Sequence, residues 1–173
     1  MNLFLRLLWL AIAGRFRSRV GVLGPCRTPF RVLPTDLDVL RHMNNGVYFS
    51  LMDLARVDLL TRAGLAGRIA SRGWYPVVVA ETIQFRRSLT LFDSFSIETR
   101  VLGWDEKAFV LEQRFFRGTE SVAAALVRAR FLSREGGSVT PGEVLKIRDE
   151  VPDPGEMPGY AAEWNEAQTV WRG

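Results

Sequence analysis

Apolar residues in the middle of the chain recur at helical spacing. Between positions 46 and 63 they repeat every three or four residues, which predicts one helix with a single apolar face, made by Tyr48, Leu51, Met52, Ala55 and Leu59. Asn44 and Asn45 are favourable N-cap residues, and Gly64 fits the position just beyond the helix end. The pattern therefore predicts a long, half-buried helix near residue 46.

Beyond this helix the period changes from near 3.6 to 2. Alternating apolar and polar positions predict four strands, over residues 77–88, 94–104, 108–117 and 121–133. The polar connections at 105–107 and 117–119 are short enough for hairpins, so neighbouring strands are expected to be antiparallel. A further short strand is expected over 25–33, before the helix. One helix preceding a meander buries its apolar face best inside a curled sheet, so the fold class is α+β.

The two ends of the chain differ from this central part. We expect an apolar and basic N-terminal helix in residues 1–24, the main domain in 25–135, and a proline-containing C-terminal extension with a short helix in 136–173. The apolar run of residues 3–13 is about half the 20 residues that a membrane-spanning helix needs. Most arginines follow this run, whereas a secretory signal places its basic region first. The segment either lies on an anionic membrane surface or packs on the protein itself.

Composition narrows the class of protein. The 173 residues suit one domain with short appendages, and 47% hydrophobic residues exclude a disordered chain. The single cysteine, Cys26, excludes an internal disulfide framework and fits a reducing compartment. Residues 1–31 carry six arginines and no acid, whereas the rest holds 17 basic and 19 acidic groups. The net charge of +4 therefore comes from one end, and nucleic acid is not expected as a partner.

Candidate chemistry is concentrated in residues 36–48, DLDVLRHMNNGVY, directly before the helix start. Free backbone N–H groups at a helix N-terminus form a site for a developing oxyanion. A carboxylate a few residues upstream, from Asp36 or Asp38, can act beside it as a base or nucleophile on a carbonyl. The alternative is structural: the aspartates form Asx-turns and the asparagines cap the helix.

The spacing Asp36-x-Asp38-x-x-x-His42-x-Asn44-Asn45-x-x-Tyr48, followed by Asp53-x-Ala55-Arg56, resembles the hotdog-fold acyl-CoA thioesterases of the 4-hydroxybenzoyl-CoA thioesterase type. Two later segments agree, Phe85-Arg86-Arg87-Ser88-Leu89 and Leu91-Phe92-Asp93. The apolar-then-arginine N-terminus and the proline-rich tail resemble a subgroup that includes thioesterase superfamily member six. The resemblance implies a hotdog fold, an antiparallel sheet wrapped around a central helix.

The resemblance also assigns roles to residues of this chain. Asp38 falls on the catalytic aspartate, and the oxyanion donors fall on backbone N–H groups near Asn45 and Gly46. Substrate contacts are expected from His42, Asn45, Gly46, Tyr48 and Arg87. No metal or other cofactor is implied. Many relatives carry glycine where this chain has Arg41, and a large cation there would screen Asp38, narrow the entrance or point to solvent.

Several other charged residues have both a structural and a functional interpretation. Asp53 and Arg56 are expected to form a structural ion pair or a subunit contact. Glu81 shares a strand face with apolar residues, so burial would raise its pKa and make it either a paired structural group or an auxiliary acid. Coenzyme A carries phosphates, and the arginines placed by strand position to meet them are Arg86, Arg87, Arg128 and Arg130.

The sequence therefore predicts an acyl-CoA thioesterase that hydrolyses an acyl thioester to free acid and coenzyme A. Acyl-CoA is the expected substrate, and a homodimer or a dimer of dimers the expected assembly. We expect a cytoplasmic protein with possible peripheral contact to the inner membrane face through residues 1–20. The alternative is a non-catalytic hotdog protein that binds acyl-CoA or lipid at a membrane. A hotdog dehydratase is disfavoured because its His-Phe-Pro signature is absent.

Overall fold

A curled antiparallel sheet encloses a long helix in the computed structural model, which describes residues 3–14, 16–148 and 152–168. The described residues form, in chain order, α1 (Leu3–Ala13), β1 (Cys26–Arg31), α2 (Asn45–Arg62), α3 (Ala66–Ala70), β2 (Trp74–Phe85), β3 (Ser94–Trp104), β4 (Phe109–Arg117), β5 (Glu120–Ser133), β6 (Ser138–Val139), α4 (Pro141–Leu145) and α5 (Gly159–Ala167). The α+β prediction is confirmed.

The strand order of the sheet is β1-β3-β4-β5-β2, and β6 pairs with the end of β5. The two predicted hairpins join β3 to β4 and β4 to β5 in antiparallel register. The chain leaves β2 and returns on the far side of the sheet, so β2 becomes an edge strand beside β5. This strand begins three residues earlier and ends three residues earlier than the pattern predicted, at Trp74 and Phe85. Its edge position leaves many side chains exposed, which weakens the alternation that marks a strand.

Helix α2 packs its apolar face into the curve of the sheet, as predicted. Leu51, Met52 and Ala55 are fully buried there. On β5, the small side chains Ala123 and Ala125 are buried in the same hydrophobic core. Among the strands, the backbone of α2 comes closest to β1 and β3. The helix ends where Gly64 adopts a positive φ of 72°, the conformation favoured at that position.

Helix α1 packs on the protein through one narrow side. Leu10 is buried against the core, and Arg6 and Arg17 reach buried carboxylates of the main domain. The opposite surface of α1 keeps large apolar side chains exposed, namely Phe4, Leu5, Leu8, Trp9 and Ile12. None of the helices in residues 3–14, 16–148 and 152–168 has the length and apolar character needed to cross a membrane.

The C-terminal segment corrects one expectation about the arginines. Arg128 is not an exposed phosphate ligand: only 5% of it is exposed, and it donates to Asp105 at 2.5 Å and to Asn165 of α5 at 2.7 Å. Arg130 bonds Ser138 of β6 at 2.6 Å. The two arginines do point away from the core, but α5 and β6 cover the surface that they face. They therefore hold the C-terminal segment on the sheet through hydrogen bonds.

Candidate active site

A polar hollow of about 240 Å³ lies at the N-terminal end of α2. Five of the six predicted site residues line it, namely Asp38, His42, Asn45, Tyr48 and Arg87. Its wall is completed by Met43, Phe85, Arg86 and Ser88. The sixth, Gly46, is not among the residues that line it. We call this feature the polar hollow.

Asp38 is held at the polar hollow by its own loop. Its Oδ1 accepts the backbone N–H groups of Leu40 at 2.9 Å and His42 at 3.1 Å, and its backbone N–H donates to the carbonyl of His42 at 2.8 Å. The Asx-turn interpretation is therefore correct for Oδ1. Its Oδ2 receives no hydrogen bond from the described residues. One carboxylate oxygen thus fixes the side chain and the other remains available for chemistry.

Of the two backbone N–H groups expected as oxyanion donors at the N-terminus of α2, one already has an acceptor within the protein. The N-cap Asn44 accepts the backbone N–H of Gly46 through Oδ1 at 2.9 Å, so that donor is already used. The N–H of Asn45, at the first helical position, has no acceptor within the described part of the chain, as is usual for the first turn of a helix. Asn45, which also lines the polar hollow, is the better candidate donor.

His42 and Tyr48 contribute to the polar hollow in different ways. His42 forms an isolated backbone bridge with Thr90, which fixes the loop, while the residue itself is exposed. Tyr48 is 2% exposed and packs edge-to-face on Phe85, with ring centroids 4.9 Å apart. Burial raises the pKa of the Tyr48 phenol above its ordinary value, so it stays protonated at neutral pH. Tyr48 shapes the wall and His42 holds the loop.

Arg86 and Arg87 lie at the rim of the polar hollow, directly after β2. Their backbone N–H groups both donate to the carbonyl of Val122, at 2.8 and 3.1 Å, which fixes the direction of the chain. The Arg87 side chain is mostly exposed and lies 3.4 Å from Glu120. Exposed guanidinium groups beside the rim are suited to phosphate groups of a bound ligand.

Arg41 adopts the backbone conformation that glycine adopts easily. Its φ is 63°, in the left-handed region, and its side chain is exposed. It makes no ion pair with Asp38 in the described structure and does not line the polar hollow. Of the three roles considered for Arg41, the structure supports a side chain that points to solvent.

A second, apolar cavity of about 300 Å³ lies under the C-terminal half of α2. Leu59 and Leu60 of the helix face Val77, Phe109 and Phe131 of the sheet across it. We call it the apolar cavity. No sequence pattern pointed to it, because most of its lining residues are apolar residues of the kind found in any core and the space depends on how they pack.

Asp53 and Arg56 line the edge of the apolar cavity and form the expected ion pair. Arg56 also donates to the buried Gln113 at 2.5 Å and lies 3.8 Å from Glu81. Burial raises the pKa of Glu81, while the Arg56 charge acts to lower it. The structure therefore supports the paired interpretation of Glu81, which does not line the polar hollow.

The sequence interpretation missed the function of Arg6. This arginine interrupts an otherwise apolar helix, and such a residue commonly has a buried acidic partner. Its Nη2 lies 2.5 Å from Oδ2 of Asp36, whose side chain is fully buried. Asp36 and Asp38 are thus two residues apart but differ in environment, one buried and paired, the other at the polar hollow.

Comparisons with known proteins find relatives that match much of this chain. Protein THEM6 of Danio rerio is 41% identical over 128 residues, which cover 73% of this chain and 63% of that protein. Protein THEM6 of Xenopus laevis is 46% identical over 99 residues, 57% of this chain and 48% of that protein. The chain therefore spans about half to two thirds of the length of these two relatives.

Solved structures share the fold at lower identity. The gentisyl-coenzyme A thioesterase BH1999 superposes with a TM-score of 0.64 at 21% identity, covering 69% of this chain and 98% of that one. The probable thioesterase YbaW of Escherichia coli gives a TM-score of 0.62 at 24% identity, with 72% and 96% covered. The hotdog fold is therefore confirmed. The family model described as Thioesterase-like superfamily matches residues 32–164, and the chain belongs to that superfamily.

Proposed function

We propose that the protein is an acyl-CoA thioesterase of the 4-hydroxybenzoyl-CoA thioesterase type, in the subgroup related to THEM6, with its active site in the polar hollow. The observation that carries the proposal is the pairing of a fixed carboxylate with an unused helix N–H. Asp38 keeps Oδ2 without a donor in the described structure, and Asn45, whose N–H has no acceptor among the described residues, lines the same hollow. Membership of the Thioesterase-like superfamily supports thioester hydrolysis as the reaction.

In the proposed reaction the thioester carbonyl oxygen accepts the N–H of Asn45. Oδ2 of Asp38 then either attacks the carbonyl carbon or removes a proton from an attacking water. Collapse of the tetrahedral intermediate breaks the carbon–sulfur bond and releases the coenzyme A thiolate, which takes up a proton. In the nucleophilic variant a water then hydrolyses the acyl–Asp38 anhydride. The N–H stabilises the oxyanion because it is already oriented before the charge forms.

We assign the coenzyme A phosphates to the rim of the polar hollow and the acyl chain to the apolar cavity. Arg86 and Arg87 provide cations at the rim. From the level of Asn45 to that of Val57, at the apolar cavity, α2 rises about 18 Å. Zigzag C–C bonds of about 1.5 Å advance about 1.25 Å each, so a chain of roughly 14 carbons spans this distance. Exposed apolar residues of β2 lie between the two sites, from Phe85 to Val78.

The experiment is a release assay for coenzyme A with wild type and Asp38→Asn on a panel of short, long and aromatic acyl-CoAs. We expect long-chain substrates to be hydrolysed fastest, and Asp38→Asn to reduce kcat at least a hundredfold, since it removes the base or nucleophile while keeping the acceptor for Leu40 and His42. Asp153→Asn is the matched control: this exposed aspartate also accepts a backbone N–H through Oδ1, from Gly155 at 2.8 Å, and it lines neither the polar hollow nor the apolar cavity. It should leave kcat within about twofold. Equal rates for wild type and Asp38→Asn would refute the proposal.

A second candidate function rests on α1. We infer a peripheral contact between the exposed apolar side of α1 and a membrane surface, with acyl-CoA or lipid bound without turnover. The observation is the exposure of Leu8, Trp9 and Ile12 on a helix that docks through its other side. Arginines follow the helix, as anionic lipids would require. Such a contact would place the protein at the inner membrane face.

Sedimentation with vesicles of phosphatidylcholine and phosphatidylglycerol tests this contact. Leu8→Glu/Ile12→Glu should abolish sedimentation, while Phe92→Glu, at an equally exposed apolar residue before β3, should not. Deletion of residues 1–20 is a poorer test because it also removes Arg6 and Arg17, which pair with buried carboxylates. Unchanged sedimentation of the double variant would exclude this surface.

A homodimer formed through β2 is part of the proposal. This edge strand exposes Tyr75, Val78, Val79 and Phe85, and an exposed apolar edge is a pairing surface. A second copy there would also cover the route between the polar hollow and the apolar cavity. Light scattering of the purified protein tests the assembly, and a strictly monomeric protein would contradict it.

A further inference from the structure

The loop that carries Asp38 is closed by a residue other than Asp38. Asp36 accepts the backbone N–H of Leu33 through Oδ2 at 2.8 Å, and its backbone carbonyl accepts the N–H of Asn44 at 2.9 Å. One residue thus connects the start of the loop with the N-cap of α2. Asp38 lies within the loop that these hydrogen bonds close, and Asn45, the candidate oxyanion donor, directly follows Asn44 at the end of the loop.

The charge of Asp36 requires compensation, because its side chain is fully buried. Burying an isolated carboxylate costs several kcal/mol, roughly the stability of a marginal domain, unless it is paired. Among the described residues, Arg6 is the cation paired with Asp36, and its side chain is 12% exposed. Arg6 belongs to α1, outside the sheet and the central helix. The N-terminal helix therefore supplies the counter-charge for the loop.

We propose that Arg6 is a positioning residue for the active site, acting through Asp36 on the loop that carries Asp38 and on the start of α2. The proposal rests on the function proposed above. In it, α1 contributes to catalysis while none of its residues touches substrate. Without the guanidinium, the buried carboxylate draws in water or moves outward. The Leu33 and Asn44 hydrogen bonds then loosen, and the distance between Oδ2 of Asp38 and the N–H of Asn45 is no longer fixed.

The chain offers a matched control for a purely structural role. Arg17 also comes from the N-terminal segment and also pairs with a fully buried carboxylate, Asp58, at 2.9 Å, and Arg62 lies 3.6 Å from the same carboxylate. Asp58 lies 13 residues beyond Asn45 in α2, about 20 Å along the helix axis. Loss of either arginine should therefore cost stability, but only loss of Arg6 should change the polar hollow.

The kinetic test compares Arg6→Met with Arg17→Met below their melting temperatures. We expect Arg6→Met to reduce kcat by about ten- to a hundredfold, the range associated with a displacement of about 1 Å in a catalytic group. Arg17→Met should leave kcat within about twofold. The double variant Arg6→Met/Asp36→Asn should recover several-fold of the lost kcat, because the amide oxygen introduced by the second substitution still accepts from Leu33 and carries no charge that needs a partner.

Hydrogen exchange of the same proteins gives a readout that does not depend on turnover. In Arg6→Met the peptide spanning residues 33–46 should exchange at least tenfold faster than in wild type, while in Arg17→Met it should not. If wild type lacks thioesterase activity but exchange still changes as described, the proposed function fails and the positioning of the loop by Arg6 stands. Equal exchange in residues 33–46 for the two variants, or equal loss of kcat, would overturn the inference.

Discussion

Replacement of Arg41 by glycine should stabilise the protein. Arg41 has a φ of 63°, and a non-glycine residue in this left-handed region costs about 1–2 kcal/mol. Glycine avoids this cost but loses about 0.5–1 kcal/mol through the greater freedom of the unfolded chain. The Arg41 side chain is exposed, so little packing is lost. The backbone N–H of residue 41 continues to donate to the carbonyl of Asp38, at 3.0 Å in the present structure.

The net expectation is a gain of about 0.5–1 kcal/mol, or a rise in Tm of about 1–4 °C for a chain of this length. Urea denaturation at pH 7 measures the free energy of unfolding, with the slope against urea expected to be unchanged. Arg41→Ala is the control, since it removes the same charge but keeps the cost of the left-handed conformation. At an ordinary backbone position the glycine variant would be less stable than the alanine variant. At residue 41 we expect the glycine variant to be more stable by about 0.5–1 kcal/mol.

An alanine variant as stable as the glycine variant would refute this reasoning. The same pair of proteins also addresses the effect of Arg41 on catalysis. Arg41 does not line the polar hollow, so neither variant should change kcat by more than about twofold. A large rise in kcat in both variants would show that the arginine screens Asp38 after all.

Three further predictions concern the buried charges and the thiol. Burial acts to raise the pKa of Asp105, but hydrogen bonds from Arg128, from the backbone N–H groups of Lys107 and Ala108 and from Asn165 outweigh it and hold that pKa at about 2, below 3.8. Together these hydrogen bonds add about 1–2 kcal/mol to the free energy of unfolding above pH 4, and this contribution is lost as the pH falls towards 2. Asp105→Asn should therefore lower unfolding free energy at pH 7 and match wild type near pH 2, as urea titrations would show. Asp58→Ala should lower the free energy of unfolding by about 3–5 kcal/mol, since it leaves buried arginine charge unpaired. A decrease below about 1 kcal/mol in the same urea titration would contradict this. Burial raises the pKa of Cys26 to about 11, so a thiol reagent at pH 7 should label it only at the rate of unfolding.

Much of the fold follows from local pattern. Strand β3 has the predicted bounds, Ser94–Trp104, because its inward residues alternate regularly with polar ones. The bounds of β2 were predicted less well because an edge strand is only half covered. The environment of Arg128 was predicted wrongly for a different reason. The alternation correctly turned its side chain away from the core, but α5, some 37 residues later, covers that surface. Contacts over such separations leave no local signal.

Some features of the candidate site also follow from local pattern, whereas others depend on tertiary packing. The loop and the helix start can be predicted, because a pair of asparagines marks the helix start and the first of them, Asn44, is the N-cap residue. The different burial of Asp36 and Asp38 cannot be predicted from the sequence, because both are aspartates in one polar segment. Only the packing of α1 buries the first beneath Arg6 and leaves the second at the polar hollow. The use of the Gly46 N–H by Asn44 likewise depends on a rotamer.

The two edges of the sheet have unequal consequences for assembly. The edge at β1 is six residues long. The edge at β2 is twelve residues long. In the proposed dimer, antiparallel pairing of β2 with the same strand of a second copy would occupy both long edges at once and leave the shorter β1 edges free. Short edges limit edge-to-edge association, so this arrangement would oppose the growth of fibres by strand addition.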